Sequence, residues 1–279
     1  MKTNLLICAA LALVNFSAVA APLTENTFTE IIREVNTLSA AGNPTTAKLN
    51  DLLKSPDRVR TGPESRAELT APDNTLTRVG ANTVFCFSDS GRTLNLDRGN
   101  LLFHSPKGQG GGTIKSGGAS AAVLGTTLIV SATTDGEFKV IMLEGSGSVT
   151  LPNGKTVTLK AGQMVFVAAG GTEFSRVMDI NLEKLVAGSL LVNGFNHPLP
   201  SAPLIQDAVR KQHSLIALGG AVDSGKPAES GLASVDHGAY QTAAHPPLSF
   251  SQYKAIINIA IAAGSGAGGR NITTLGFKP

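Results

Sequence analysis

Apolar and polar residues alternate with a period of two through most of the chain between about residues 58 and 167. Leu94 and Leu96 alternate with polar neighbours, as do Val157 and Leu159. This period places apolar side chains on one face of a β-strand and polar side chains on the other. The runs are short and are separated at fairly even intervals by Gly, Pro, Asn and Asp, which predicts an all-β sandwich, barrel or solenoid.

Two of the separating pairs, Asp135-Gly136 and Asn153-Gly154, are strong turn signals because a strand-like run lies on each side of them. Both pairs tolerate the positive φ angles of a type I′ turn, whose twist suits the flanking strands. We therefore predict a tight β-hairpin at each pair.

The second turn contains Gly154-Lys155-Thr156, which is also the end of a phosphate-binding loop motif. That motif needs a glycine five residues before Gly-Lys-Thr, and the loop must open into a helix whose N-terminus meets the phosphates. Here the earlier position is Val149, and an alternating strand-like run follows the turn. These glycines are therefore predicted to be turn residues, and no nucleotide site is predicted.

The pattern differs on both sides of this region. Residues 28–38 fit a helical stripe, but their β-branched side chains leave a strand possible. After residue 176 the chain holds 12 Gly, 15 Ala and 7 Pro, which indicates a partly disordered extension carrying short helices. Three helices are predicted there, on Leu182, Leu185, Val186, Ser189 and Leu190; on Ile205, Val209, Gln212 and Ile216; and over residues 253–263.

The N-terminus has the features of a secretory signal peptide. Lys2 precedes an apolar stretch over residues 5–14, and Ala18-Val19-Ala20 supplies the small residues that a signal peptidase requires. The apolar stretch is shorter than the ~20 residues of a membrane-spanning helix. We expect cleavage between Ala20 and Ala21, a periplasmic or secreted mature chain, and no transmembrane segment after cleavage.

Composition limits the chemistry of the mature chain. The full chain has a net charge of +3, and cleavage removes one lysine and no acid, so the mature chain carries +2, which gives no electrostatic case for nucleic acid or an anionic membrane. Cys86 is the one cysteine left after cleavage, so no intrachain disulfide can form. The five histidines lack metal-ligand spacing, no Gly-x-Ser-x-Gly motif is present, and the absence of Trp disfavours sugar stacking. No catalytic, cofactor-binding or metal-binding residue is predicted.

Residues 47–62, which read AKLNDLLKSPDRVRTG, resemble the opening of the FecR domain. The later segments follow in the same order as in that family: SRAEL at 65–69, GNLL at 99–102, VLGT at 123–126, and the pattern from 140 to 163. The resemblance covers about residues 48–167. Its motif positions are held by Arg60, Thr61, Gly62, Gly125, Thr126, Glu144 and Gly145.

The resemblance implies a mainly β, twisted, solenoid-like or sandwich domain, and it favours a strand over a helix at residues 30–38. FecR-like regulators pass a signal from outer-membrane transporters of ferric chelates to a cytoplasmic sigma factor, and their β-domain lies in the periplasm. This chain differs because a signal peptide replaces the cytoplasmic domain and the membrane helix. A direct role in sigma-factor regulation is therefore not expected.

The resulting expectation is a signal peptide (1–20), an N-terminal segment (21–44), a FecR-like β-domain (45–176) and a Gly/Ala/Pro-rich extension (177–279). The expected function is that of a non-enzymatic, exported cell-envelope protein whose β-domain binds a protein partner in signalling. The alternative is a module that binds a polysaccharide or a surface of the envelope.

Overall fold

The structure is a computed structural model, and it describes residues 21–39, 43–89, 91–219, 221–227 and 270–274. The fold is mainly β, which confirms the predicted class. The strands are β1 Glu25–Ile32, β2 Val35–Leu38, β3 Pro44–Thr46, β4 Leu52–Lys54, β5 Arg58–Thr61, β6 Arg66–Thr70, β7 Leu76–Val79, β8 Val84–Phe87, β9 Thr93–His104, β10 Gly112–Ser116, β11 Ala119–Val123, β12 Thr127–Ala132, β13 Phe138–Glu144, β14 Ser146–Thr150, β15 Thr156–Lys160, β16 Gln163–Val167, β17 Met178–Ile180, β18 Ala221–Pro227 and β19 Arg270–Thr274. The helices are α1 Leu182–Gly188, α2 Leu190–Asn193 and α3 Ala202–Ala217.

These strands form two sheets that share β9. Sheet A has the order β4-β1-β6-β7-β9-β12-β13-β16-β17-β19-β18. Sheet B has the order β3-β2-β5-β8-β9-β10-β11-β14-β15. Most pairs are antiparallel, but β9–β10, β17–β19 and β18–β19 are parallel, so the architecture is mixed.

Strand β9 passes from one sheet to the other at Gly99. The residues before Gly99 pair with β8 and β10 in sheet B, and the residues from Gly99 onward pair with β12, and then also with β7, in sheet A. Gly99 has a φ of +97°, and a Cβ atom there would lie 2.3 Å from Thr83 Oγ1. Only glycine satisfies both the backbone angle and the space, so this residue fixes the point at which the sheets separate.

The main hydrophobic core lies between the two sheets. Phe28, Leu101, Phe103 and Phe138 enter it from sheet A, and Phe85 enters it from sheet B, all of them fully buried. We call this the inner core. Strands of sheet B such as β10 and β11 bury alternate residues in the inner core and leave the others at least partly exposed, which explains their period-two pattern.

The opposite face of sheet A is also covered, and there the chain from Leu182 to Ala217 forms a second layer. Leu102, Ile129 and Ile141 point to this outer core and pack against Leu185 and Ile205 of the helices. Their sequence neighbours point to the inner core, so strands β12 and β13 are buried on both faces. Burial on both faces is why these strands have continuous apolar runs where a half-exposed strand would alternate.

Local sequence signals account for the helices of this layer. Asn181 caps α1, because its side-chain oxygen accepts a hydrogen bond from the backbone N–H of Lys184 at 2.9 Å. Pro203 lies in the first turn of α3, where a missing N–H is tolerated. The second predicted helix is thus present as α3, whereas the first is divided between α1 and α2, because Ser189 between them has an extended backbone. The third, over 253–263, lies outside the described residues.

The turns at Asp135-Gly136 and Asn153-Gly154 join antiparallel strands, but their type differs from the predicted type I′. Only the glycines have positive φ, +87° at Gly136 and +81° at Gly154, whereas type I′ needs it at both residues of the pair. In each hairpin the glycine N–H donates to the carbonyl three residues earlier, from Gly136 to Thr133 and from Gly154 to Leu151. This is the pattern of a type I turn followed by a left-handed residue.

Residues 30–32 lie in β1 and residues 35–38 in β2, so the helix considered for this segment is wrong. The boundary predicted at residue 176 stays a prediction, although Ile180, Leu182 and Leu185 beyond it are buried against sheet A. None of the described helices is long and apolar enough to cross a membrane.

Candidate functional site

The first group of motif residues ties β5 to neighbouring turns. Thr61 Oγ1 donates to the carbonyl of Gly80 at 2.6 Å and accepts from the backbone N–H of Thr83 at 2.9 Å. A Cβ atom at Gly62 would lie 2.7 Å from a carboxylate oxygen of Glu34. Arg60 is exposed on the same strand. Thr61 and Gly62 therefore have packing and hydrogen-bonding roles.

The second group, Gly125, Thr126, Glu144 and Gly145, converges at one end of sheet A. Gly125 has a φ of +67°, and a Cβ atom there would lie 2.9 Å from the Cα of Lys107. Gly145 has a φ of +73°, and its Cβ would lie 2.5 Å from Thr126 Cγ2. Both positions require glycine, because they combine a left-handed backbone with close contact. The structure thus brings three loops together at this end and leaves Arg60, Thr61 and Gly62 to other contacts.

A buried polar network lies beside these glycines. Thr127 Oγ1 is hydrogen bonded to Glu144 Oε1 at 2.8 Å, to His104 Nδ1 at 2.9 Å and to Ser201 Oγ at 2.8 Å. Burial raises the pKa of Glu144 against the opposing effects of Thr127 and Lys107, and burial lowers the pKa of His104. Both shifts favour the uncharged forms.

A histidine, a hydroxyl and a carboxylate within hydrogen-bonding distance also suggest nucleophilic catalysis. However, the side chain of Thr127 is completely buried, so a substrate could not reach its hydroxyl. The network instead links three strands of sheet A to Ser201, the residue immediately before α3. We interpret it as the anchor that positions the start of this helix.

Gln212 holds the second half of α3 in place. Its Oε1 accepts a hydrogen bond from the backbone N–H of Leu182 at 2.9 Å, and its Nε2 donates to the carbonyl of Ile180 at 2.7 Å. Ile205 and Val209 on the same side of the helix are buried in the outer core. Gln212 thus completes the buried side of α3 with two hydrogen bonds.

A cleft of about 660 Å³ lies between α3 and the motif end of sheet A. One wall consists of Lys107, residues 144–146 and residues 160–161, and the other comes from α3, including Leu204, Lys211 and Leu215. Two of the motif residues, Glu144 and Gly145, therefore line it. No local sequence pattern indicated the cleft, because its two walls are about 45 to 110 residues apart in the chain.

A second buried cluster joins sheet A to the segment before α3. Arg78 Nε donates to Glu68 Oε2 at 2.8 Å, and its terminal nitrogens donate to the carbonyls of Leu191, Val192 and His197. The guanidinium also lies over the ring of Phe195, 4.4 Å from its centre. Both oxygens of Glu30 accept from the backbone N–H of Asn196 at 3.1 Å. This Arg78 cluster fastens residues 191–197 to the outer face of sheet A.

The residues at the predicted signal cleavage site and the single cysteine of the mature chain lie outside both polar clusters. The carbonyl of Ala21 accepts a hydrogen bond from Arg92 Nη1 at 2.6 Å, and Ala20 lies outside the described residues. Cys86 is buried, and burial raises the pKa of its thiol. Within the described ranges, no three His, Cys, Asp or Glu side chains are placed to hold a metal ion together.

Comparison with known proteins gives one family match. Residues 57–147 match the sequence model of the family described as FecR protein, which confirms the resemblance over strands β5 to β13. No curated protein matches the chain. Two crystal structures of a candidate anti-sigma factor from Parabacteroides distasonis ATCC 8503, at 1.65 and 2.50 Å resolution, are similar in structure. They share 16% and 15% identity with this chain, each with a TM-score of 0.42, and the matches cover 77% and 78% of this chain and 97% and 98% of theirs.

Proposed function

We propose that this chain, whose residues 57–147 match the FecR family, is an exported cell-envelope protein that binds a protein partner in signalling. The family match carries the proposal. It covers the strands that build the centre of both sheets, and FecR-like regulators act through contacts with other proteins. The partner-binding surface we favour is the end of sheet A at which the motif residues and α3 meet.

Export is supported by the N-terminal sequence and by the contacts of the residues that follow it. Signal peptidase cleavage before Ala21 would leave Leu23 as the third residue of the mature chain, and Leu23 is buried in the inner core. The mature chain would thus contribute to the inner core from its third residue.

A non-enzymatic role is supported by the accessibility of the reactive groups. The hydroxyl of Thr127 and the thiol of Cys86 are both buried, and the raised pKa of the thiol keeps it protonated near neutral pH. The groups that resemble a catalytic arrangement are therefore used for packing and hydrogen bonding.

The test begins with the full chain expressed in its host with an affinity tag at the C-terminus. After cell fractionation, we expect the protein in the envelope or medium, with Ala21 as its first residue by mass spectrometry. Proteins captured with it are then purified separately and titrated against the mature chain. We expect one of them to bind saturably in the purified system.

The same mature chain is applied to an array of envelope polysaccharides. Saturable glycan binding, together with failure of every captured protein to bind in purified form, would replace the proposal by the polysaccharide-binding alternative. A protein that stays uncleaved in the cytoplasm would contradict export.

A further inference from the structure

We propose that the cleft beside α3 binds an acidic and partly apolar peptide segment of a protein partner. This inference rests on the proposed protein-binding function and gives it a site. The cleft has a volume of about 660 Å³, within the range of about 300–1,000 Å³ that is usual for ligand sites.

The first observation is an imbalance in how the charged groups of the cleft are paired. Three of its acidic side chains already have partners: Glu144 accepts from Thr127, Asp207 pairs with Arg210, and Asp179 accepts from Gln163 Nε2 at 3.1 Å. In contrast, Lys107, Lys160 and Lys211 form no ion pair within the described part of the chain. All three lysines are exposed. The cleft therefore offers three lysines to a ligand, whereas each of its three carboxylates has a hydrogen-bond or ion-pair partner within the protein.

The positions of the lysines indicate the type of ligand. Lys107 lies in the loop after β9, Lys160 at the end of β15, and Lys211 on α3, so the three charges come from separate elements around the cleft. A ligand with several separated carboxylates satisfies this arrangement better than one compact anion. An extended peptide with Asp and Glu residues has such a distribution of charge.

The second observation is a row of apolar residues on α3 that faces the cleft. Leu204, Ala208 and Leu215 lie four and seven residues apart, which places them on one side of the helix. Leu204 and Leu215 are each 39% exposed, although Ile205 and Val209 on the neighbouring side are buried in the outer core. Exposed leucines beside lysines match a segment in which acidic and apolar residues are mixed.

The cleft is also built from constrained backbone. Gly145 and Gly125 hold their loops in left-handed conformations against Thr126 and Lys107, and Ser201 and Gln212 fix the two halves of α3. A site with a preformed shape loses less conformational entropy when it binds a ligand. The wall residues therefore need little rearrangement on binding.

The test uses the mature full chain and three fluorescein-labelled 12-residue peptides. The first alternates acidic residues with Leu, the second replaces the acidic residues by Lys, and the third replaces Leu by Ser. Binding is followed by fluorescence anisotropy at low and high salt. We expect saturable binding of the first peptide that weakens with salt, weaker binding of the third, and none of the second.

Two charge reversals and one substitution of an apolar residue test whether the first peptide binds in the cleft. Lys160→Glu and Lys211→Glu should each weaken binding of the first peptide by about fivefold or more, because each removes an attraction and adds a repulsion. Leu215→Ser should also weaken it. The matched controls are Lys48→Glu, at an exposed lysine near the opposite edge of sheet A, and Leu218→Ser, at a leucine outside the cleft with 86% exposure. These controls should bind like the unaltered chain, and all variants should keep its thermal unfolding midpoint.

The possible failures are distinguishable. No saturable binding of the first peptide, or equal weakening by Lys48→Glu and Lys211→Glu, would overturn the cleft as an acidic-peptide site. If a purified partner binds the Lys160→Glu and Lys211→Glu variants as well as the unaltered chain, the cleft proposal fails and the protein-binding function stands. If the unaltered chain binds no protein at all, the proposed function itself fails.

Discussion

The two faces of sheet A are both buried, but they are buried in different ways. The inner face meets sheet B through aliphatic and aromatic side chains such as Leu101 and Phe138. The outer face mixes Leu102 and Ile129 with buried charged or polar groups, among them Arg78. The inner core is thus lined mainly by apolar side chains, whereas the outer layer also needs polar partners that lie more than 100 residues away in the chain. This difference implies that the outer layer is attached at a few specific points.

The largest expected effect comes from breaking the Arg78 cluster. Arg78→Met leaves the carboxylate of Glu68 and three backbone carbonyls without their buried donor, so the free energy of unfolding should fall by about 3–5 kcal/mol. Urea unfolding measures the loss. Adding Glu68→Leu to this variant should restore part of it, because no buried carboxylate then lacks a partner.

Hydrogen exchange separates a local from a global effect of Arg78→Met. We expect faster exchange first in residues 191–197, which the cluster fastens to the sheet, and later in β12. A loss of stability below about 1 kcal/mol, or unchanged exchange in residues 191–197, would mean that the cluster does not hold the outer layer.

Adjacent residues of β12 compare the packing of the two faces directly. Leu128 points to the inner core and Ile129 to the outer core, and both are fully buried. Leu128→Ala and Ile129→Ala should each lower the unfolding free energy by about 2–5 kcal/mol, measured by urea unfolding. If Ile129→Ala costs much less than Leu128→Ala, the outer layer is packed more loosely than the inner core.

A turn residue outside both cores gives a smaller effect. Gly154 has a φ of +81°, and an added Cβ would have no neighbour within 4 Å, so only backbone strain opposes a side chain there. Gly154→Val should lower the unfolding free energy by about 1–2 kcal/mol in thermal or urea unfolding. Gly99→Ala should cost more, because it adds contact with Thr83 to the strain. Equal costs would contradict the described role of Gly99.

The pH dependence of stability should be the smallest effect and comes from the outer layer. The folded-state pKa of His104 lies below its usual value of 6.5, so the unfolded chain takes up a proton more readily. Stability should therefore fall as the pH decreases below about 6.5. His104→Gln should reduce this fall in urea titrations between about pH 7.5 and 5.5. An identical pH profile for the variant would show that His104 does not contribute.

Ionisation of Glu144 should make the free energy of unfolding depend on pH in the opposite direction. Its pKa lies above the usual value of 4.5, so its contribution to stability is complete below that pH and is lost as the pH rises through the folded-state pKa. Glu144→Gln should remove this dependence on the acidic side. If acidification towards pH 4.5 lowers the unfolding free energy of the unaltered chain more than that of Glu144→Gln, the pKa of Glu144 is not raised in the folded state.

The inner core was predictable from the sequence because its signals are local. Alternation along strands such as β11, the turn glycines at 136 and 154, and the FecR-like motif each depend on a few neighbouring residues. The turn type was not predictable, since Asp135 and Asn153 can adopt positive φ but do not do so here. The strand at residues 30–38 was decided by the family resemblance and not by periodicity.

The outer layer and the cleft could not be predicted in the same way. Arg78 lies in β7 and is buried partly through contacts with residues 191–197, which lie more than 100 residues further along the chain. The stripe of Ile205 and Val209 predicted α3 but not the surface against which it packs. Lys107, Lys160 and Lys211 are far apart in sequence, and no local pattern connects them.

Photo-crosslinking in the host cell tests most directly whether a protein partner binds at the cleft. A photoreactive p-benzoylphenylalanine replaces Leu215 in the cleft or, as a control, Leu49, which is 58% exposed and does not line the cleft. We predict a discrete protein adduct from position 215 that disappears when Lys211→Glu is added, and no such adduct from position 49. An adduct from position 49 alone, or no adduct from either position, would contradict binding at the cleft.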